Sequence, residues 1–274
     1  MCEKRLSGAL RSQHIVQAGN CRCVWCVLCK RLCVKGYWLQ LLQALNPQHH
    51  NLSLHFCVDF QQQLEEDGFA EKLVFSDMGM FHVCGKVNCH NICIWGMENP
   101  PTMEHVRDSP KVSVFCAVSS CKVYGPFFFA GPTVTGINYL DMLRLWLMPQ
   151  LQEDSEDFVF QQDGALPHFN FDVCAHLSAN LSSCCIGHAS HSDSPLLPWP
   201  PRSPDLTPCN FFLWGYVKDH LYVPPVPHDS PQLRPRIVEA VAAINCQMLQ
   251  HVWQELDYRI DICSITKGGR IEHV

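Results

Sequence analysis

At 274 residues, with 47% hydrophobic and 17% charged positions, the chain is long enough to bury a substantial core, which excludes wholesale disorder. A net charge of -6 argues against a strongly basic grip on nucleic acid, because sequence-independent affinity for phosphates comes from Lys and Arg displacing counterions. The opening 18 residues lack an apolar h-region and no apolar run reaches the ~20 residues of a membrane span, so a soluble protein in a reducing setting, with no membrane partner, is expected.

Residues 1–20 are expected to form a poorly structured leader. From 21 to 45, Val24, Val27, Leu28, Leu32, Leu39, Leu41 and Leu42 sit among basic residues in a pattern that predicts short helices around Gly36. Residues 46–51 form a polar break and 52–66 return to a helical period, so 21–67 is read as a helical stub. Beyond Gly68 the texture changes: 72–77, 112–119 and 122–130 are short runs rich in Val and Phe, bounded by Gly, Pro or Ser, and they predict strands. Residues 97–110, rich in Pro and charge, predict a loop.

Residues 136–153 carry Ile137, Leu140, Met142, Leu143, Leu145, Trp146, Leu147 and Leu151 at helical density. A further buried strand is expected over 158–163, a helix over 171–181, an aromatic helix over 211–221 and one long amphipathic helix over 231–260. Strands, then a helix, then a strand ending in Asp, then helices, is the order of an α/β domain of RNase H-like architecture, a mixed sheet flanked by helices, over residues 68–274.

Three short stretches carry the chemistry: Phe75-Ser76-Asp77, Gln161-Gln162-Asp163-Gly164-Ala165 with His168 after it, and Ser203-Pro204-Asp205-Leu206-Thr207-Pro208-Cys209-Asn210. An Asp at a strand end is common and Ser-Pro-Asp-Leu alone could be a turn before a helix. The three in order, with Trp199-Pro200-Pro201-Arg202 before the last and Phe211-Phe212-Leu213-Trp214-Gly215 after it, are far more specific. Together they resemble the catalytic domain of Tc/mariner-type DDE transposases, from about Val24 to the C-terminus.

The resemblance implies metal-dependent cleavage and transfer of DNA strands, in transposition and integration, by two Mg²⁺ or Mn²⁺ ions. Hard divalent ions of that kind want charged oxygen ligands. Asp77 and Asp163 match two of the family's acids and would hold metal. The third acid position is Asn210, which offers a neutral carbonyl oxygen, so the copy is expected to be catalytically impaired. Asp205 is the nearest acid that could rescue the site, and His168 is expected to position Asp163 rather than ligate.

Two neighbouring positions also depart from the family pattern: Met78 follows Asp77 where Glu is usual, and Leu166 stands where Pro is usual. The interval from Asp163 to Asn210 is about a dozen residues longer than usual, placing a tolerable surface loop near 182–194. The resemblance further implies DNA as the partner, contacted through Lys30, Arg31, Lys35 and Arg202, and a nuclear location. Recognition of transposon ends is expected to be weak, since half of the family's DNA-binding region is missing, and a homodimer is left open.

Two other readings are open at this point. One is a domesticated, non-catalytic module that binds nucleic acid or protein. The other uses Cys23, Cys26, Cys29 and Cys33, whose C-x2-C-x2-C-x3-C spacing is that of an iron-sulfur run, or of a zinc site. Against it, Val34 follows where Pro is usual, and a helix through Val24, Trp25, Leu28 and Lys30 would string the sulfurs along one face. Trp199 and Trp214 are expected to pack in the core.

Overall fold

The computed structural model describes residues 44–83, 110–131, 133–155, 157–181, 184–187, 195–223 and 227–269, together with the backbone of 35–38 and 93–96. The cysteine run at 23–33, Lys30, Arg31 and the 1–20 leader lie outside the described residues.

Strand β1 (Lys35–Trp38) is where short helices around Gly36 are expected, and that expectation is corrected here. Glycine weakens a helix, while Tyr37 and Trp38 suit a strand, and a partner strand far along the chain decides between them. Helix α1 (Pro47–Leu64) begins earlier than expected, because the polar break is its cap. The Asn46 side chain accepts from the His49 N–H at 2.9 Å, His49 Nδ1 accepts the Asn46 N–H at 3.3 Å, and Pro47 occupies the first turn.

The short α2 (Phe69–Lys72) leads into β2 (Leu73–His82). Strand β3 (Cys93–Gly96) pairs antiparallel with β1. Next come β4 (Lys111–Val118) and β5 (Val123–Phe128), close to the runs expected as strands. A continuous helical stretch follows, as α3 (Gly136–Met142), a π-turn at Leu143–Leu147 and α4 (Met148–Asp154). Strand β6 (Val159–Gln161) and helix α5 (Phe171–Asn180) are also where the pattern puts them.

Strand β7 (Cys185–Gly187) falls inside the stretch read as a surface loop, and corrects it: Ile186 is fully buried and pairs with β8 (Leu197–Pro198). Three residues between polar stretches give too short a pattern to register as a strand. After a π-turn at Cys209–Leu213 come α6 (Trp214–Leu221), α7 (Ser230–Ala242) and α8 (Cys246–Ile265). The last two replace the single long helix expected. The break lies at Asn245, whose side chain accepts the Met248 N–H at 3.0 Å and so caps a new helix.

Six strands form one mixed sheet in the order β5-β4-β2-β6-β7-β8. The β5-β4-β2 side is antiparallel and the β2-β6-β7-β8 side parallel. Side chains of β2 alternate between the two faces: Leu73, Phe75 and Phe81 join a core under α1, α6, α7 and α8, while Val74 joins a second core under α3 and α5. Phe56 and Phe60 of α1 belong to the first of these cores. An amphipathic helix reads the same in sequence whether it links or packs, and α1 packs.

Candidate active site

The local order of β2 and β6 brings Asp77 and Asp163 together. The two strands run parallel with Phe75 opposite Gln161; Asp77 lies two residues past that rung within β2, and Asp163 two residues past it, just beyond the end of β6. Two residues along extended chain returns a side chain to the same face, and neighbouring strands are ~5 Å apart, so the two carboxylates approach one another where β6 ends, and the Asp163 charge acts on Asp77. Ser76 holds the strands in this register: its Oγ donates to the Gln161 carbonyl at 2.7 Å, and its N–H donates to Gln161 Oε1 at 3.4 Å.

The charges of this pair are pulled in opposite directions. Burial, followed by repulsion from Asp163, pushes the Asp77 carboxyl up to about 6, although hydrogen bonds from Trp214 and the Met78 N–H work against the rise. Burial also opposes ionisation of Asp163, but the adjacent His168 and the Ala165 N–H outweigh it and hold Asp163 below the ordinary carboxylate range. As pH falls, Asp77, the more enclosed of the two, takes up a proton before Asp163 does.

His168 is buried, with Nδ1 2.9 Å from both the Asp163 carboxylate and its backbone carbonyl, and its ring lies 4.4 Å from that of Tyr139. Both contacts tie the ring to Asp163 from the 3-10 turn Leu166–Phe169.

Asn210 lies in the π-turn Cys209–Leu213. The helix that bears it is pinned to β2 at two points: Cys209 Sγ donates to the Phe75 carbonyl at 3.7 Å, and Trp214 Nε1 donates to Asp77 Oδ2 at 2.8 Å. Asn210 adjoins the first contact and lies one turn before the second, on the same helix face as Trp214, with its side chain exposed.

Asp205 is elsewhere. It is buried in the 3-10 turn Pro204–Leu206, where its charge acts on Cys57 and Cys263 and its carbonyl accepts from Arg259 at 3.2 Å. This placement corrects its candidacy as a rescuing ligand, since the turn points it toward α1 and α8 rather than toward Asp77. Arg202, exposed, donates to the Ala44 carbonyl at 2.7 Å, just ahead of α1. Of Lys35 only the backbone is described.

Trp199 packs edge-on to Phe56 and Phe75, as its core reading requires. Trp214 does more than pack: a Trp in an apolar run reads as core, and only the chain's folding sets its N–H against an acid 137 residues away.

The donors gathered here bear on whether a divalent ion could be held. Two carboxylates, one raised to about 6 by burial and by the other's charge and the other held low, suit one cation that would neutralise both. Among the described residues no group of three His, Cys, Asp or Glu side chains is arranged to hold a metal, and the third position contributes an amide.

No family model matches the chain, and no curated protein matches it. Solved structures do. The Mos1 strand transfer complex superposes with a TM-score of 0.67 at 18% identity, over 86% of this chain and 67% of that one. The catalytic domain of Mos1 mariner transposase gives 0.63 at 17% identity, over 85% of this chain and 100% of that one. The same domain with raltegravir and Mn gives 0.63 at 17%, over 84% and 99%. The chain has their RNase H-like fold. At such identity the likeness carries the architecture, and the site must be argued from its own residues.

Two consequences of this arrangement can be measured. A carboxyl raised in the folded state loses its proton later there than in the unfolded chain, so stability falls as pH climbs from about 4 to about 6 and stays reduced above. Asp77→Asn removes that penalty and, like the protonated acid, keeps one oxygen to accept from Trp214 while giving up the second acceptor that met the Met78 N–H. It is expected to stabilise the metal-free protein by about 1–2 kcal/mol at pH 7.5 and by almost nothing at pH 4, read by urea unfolding at both pH values. An equal gain at both would disconnect the effect from ionisation.

Gly79 lies under the Trp214 indole, where an added Cβ would stand 3.0 Å from the ring. The ring is also held edge-on by Phe81, with centroids 5.7 Å apart. Gly79→Ala is therefore expected to destabilise the fold by about 1–3 kcal/mol through overpacking. An unchanged urea midpoint would show that the indole has room to move.

Proposed function

We propose that this chain is a transposase-derived protein, similar to Tc/mariner enzymes, in which Asp77 and Asp163 hold one Mg²⁺ or Mn²⁺ against DNA while the site is weakened at Asn210. The observation that carries this reading is the shared rung: two acids displaced equally along paired parallel strands, with the helix bearing Asn210 pinned beside them. Support comes from the Mos1 structures, which include a strand transfer complex, a paired end complex with Mn and a paired end complex with Mg.

Each residue has a part in the chemistry. Asp77 and Asp163 supply the negative charge that draws a cation in, and His168 keeps the Asp163 carboxylate facing it. A bound divalent cation would polarise a phosphate oxygen and lower the barrier to attack by water or a strand's hydroxyl. Asn210 supplies at most one neutral oxygen where a second cation position would need a carboxylate. Strand cleavage and transfer are thereby impaired, with nuclear DNA as the ancestral substrate.

The exposed amide at Asn210 also favours the second reading, a domesticated module that keeps the fold and binds nucleic acid or protein without chemistry. Nicking of supercoiled plasmid in Mn²⁺ separates the two. The transposase-derived reading expects little nicking from the chain and clear nicking from Asn210→Asp. A folded Asn210→Asp protein that takes up Mn²⁺ and leaves the plasmid intact would favour the non-catalytic module.

A further inference from the structure

Both oxygens of Asp77 are engaged. Oδ1 accepts the Met78 N–H at 2.8 Å and Oδ2 accepts the Trp214 indole N–H at 2.8 Å. With one donor on each oxygen the carboxylate plane cannot swing, and the lone pairs left over point in one direction. The indole that provides the second donor is itself immobile: it is 5% exposed, lies against the bare backbone of Gly79 and meets the Phe81 ring edge-on.

A core Trp ordinarily satisfies its N–H on whatever acceptor is near. Trp253 does so here, donating to the Ala70 backbone carbonyl at 2.9 Å. Trp214 instead spends its only donor on one of the two acids of the site. It also sits one turn beyond Asn210, so the contact that orients Asp77 sets how closely the helix bearing the third position approaches β2.

We infer that Trp214 is a positioning residue for Asp77, and that its indole N–H, as distinct from its apolar ring, aims the carboxylate at a divalent cation. This rests on the reading of Asp77 and Asp163 as the metal-holding pair. Groups that orient a metal's ligands typically change affinity 10–100-fold when removed, without being ligands themselves. The ring's packing and the N–H's aim are separable, because a benzothiophene has nearly the shape of indole with sulfur in place of the N–H.

The test replaces Trp214 by β-(3-benzothienyl)alanine, with Trp214→Phe alongside, in the full chain and in the Asn210→Asp background. Mn²⁺ affinity is measured by titration and fold stability by thermal unfolding. The expected result is an unchanged melting temperature for the benzothienyl protein with Mn²⁺ affinity reduced about tenfold or more in whichever background binds the ion. Equal Mn²⁺ affinity for the indole and benzothienyl proteins would overturn the proposal and leave the carboxylate pair standing. Absence of Mn²⁺ uptake by both the full chain and Asn210→Asp would overturn the pair itself, and the role of Trp214 with it.

Discussion

Asn210→Asp is expected to raise Mn²⁺ affinity by about 100-fold and to bring Mn²⁺-dependent nicking with it. Opposite unit charges ~4 Å apart in surroundings of effective dielectric ~20 attract by about 4 kcal/mol, roughly a thousandfold at most, and desolvation of the new carboxylate takes back part of that. The helix need not move to deliver the charge, since Cys209 and Trp214 already pin it to β2 on either side of this position. The same substitution carries a penalty in the metal-free state. Asp77 is already pushed up to about 6 by burial and by Asp163, and a third acid adds to that repulsion. Asn210→Asp should therefore melt lower than the parent without metal and gain far more from saturating Mn²⁺. Calorimetric titration and melting curves with and without Mn²⁺ check both halves. A variant whose melting temperature ignores Mn²⁺ would mean that position 210 does not face the pair.

Phe75→Ala is expected to destabilise the protein by about 3–5 kcal/mol, lowering its melting temperature by roughly 10 °C. Phe75 is 1% exposed on β2, two residues before Asp77, and its ring meets Trp199 and Trp253 edge-on at 6.3 and 6.0 Å. It thus joins the central strand to the Trp-Pro-Pro-Arg turn and to α8 at one point. Truncation leaves a cavity that two indoles on separate elements cannot collapse together. Its backbone carbonyl is also the acceptor for Cys209, so the loosened strand should weaken the seat of the Asn210 helix. Thermal and urea unfolding measure the loss. A change under 1 kcal/mol would mean that the two tryptophans close over the gap, and that this face is packed far more loosely than its burial suggests.

Much of the architecture was legible because it is written in short periods. The Val- and Phe-rich runs around Phe75, Phe115 and Phe160 became β2, β4 and β6, and the dense apolar stretch after Gly136 became a helix. Misreadings occurred where a local pattern fits two outcomes. The polar stretch at Asn46 serves equally as a break or a cap, and it caps. An amphipathic period runs through Asn245 without interruption, so only the Asn245 bond to the Met248 N–H reveals two helices. Ile186 gave no periodicity to read, and became a strand because β6 and β8 offer it partners on both sides.

The site divides in the same way. Which residues carry charge, and that the third of them is an amide, follow from the order Asp77, Asp163, Asn210 in the chain, because ligand chemistry belongs to the side chain wherever it is placed. Their meeting was decided by the fold: a parallel rung sets the two acids level, and the Trp214 bond reaches across 137 positions to aim one of them. The same placement carried Asp205 off to Cys57 and Cys263. Sequence separation says nothing about such distances, since hydrogen bonds and burial act only between groups that packing has already brought within a few ångströms.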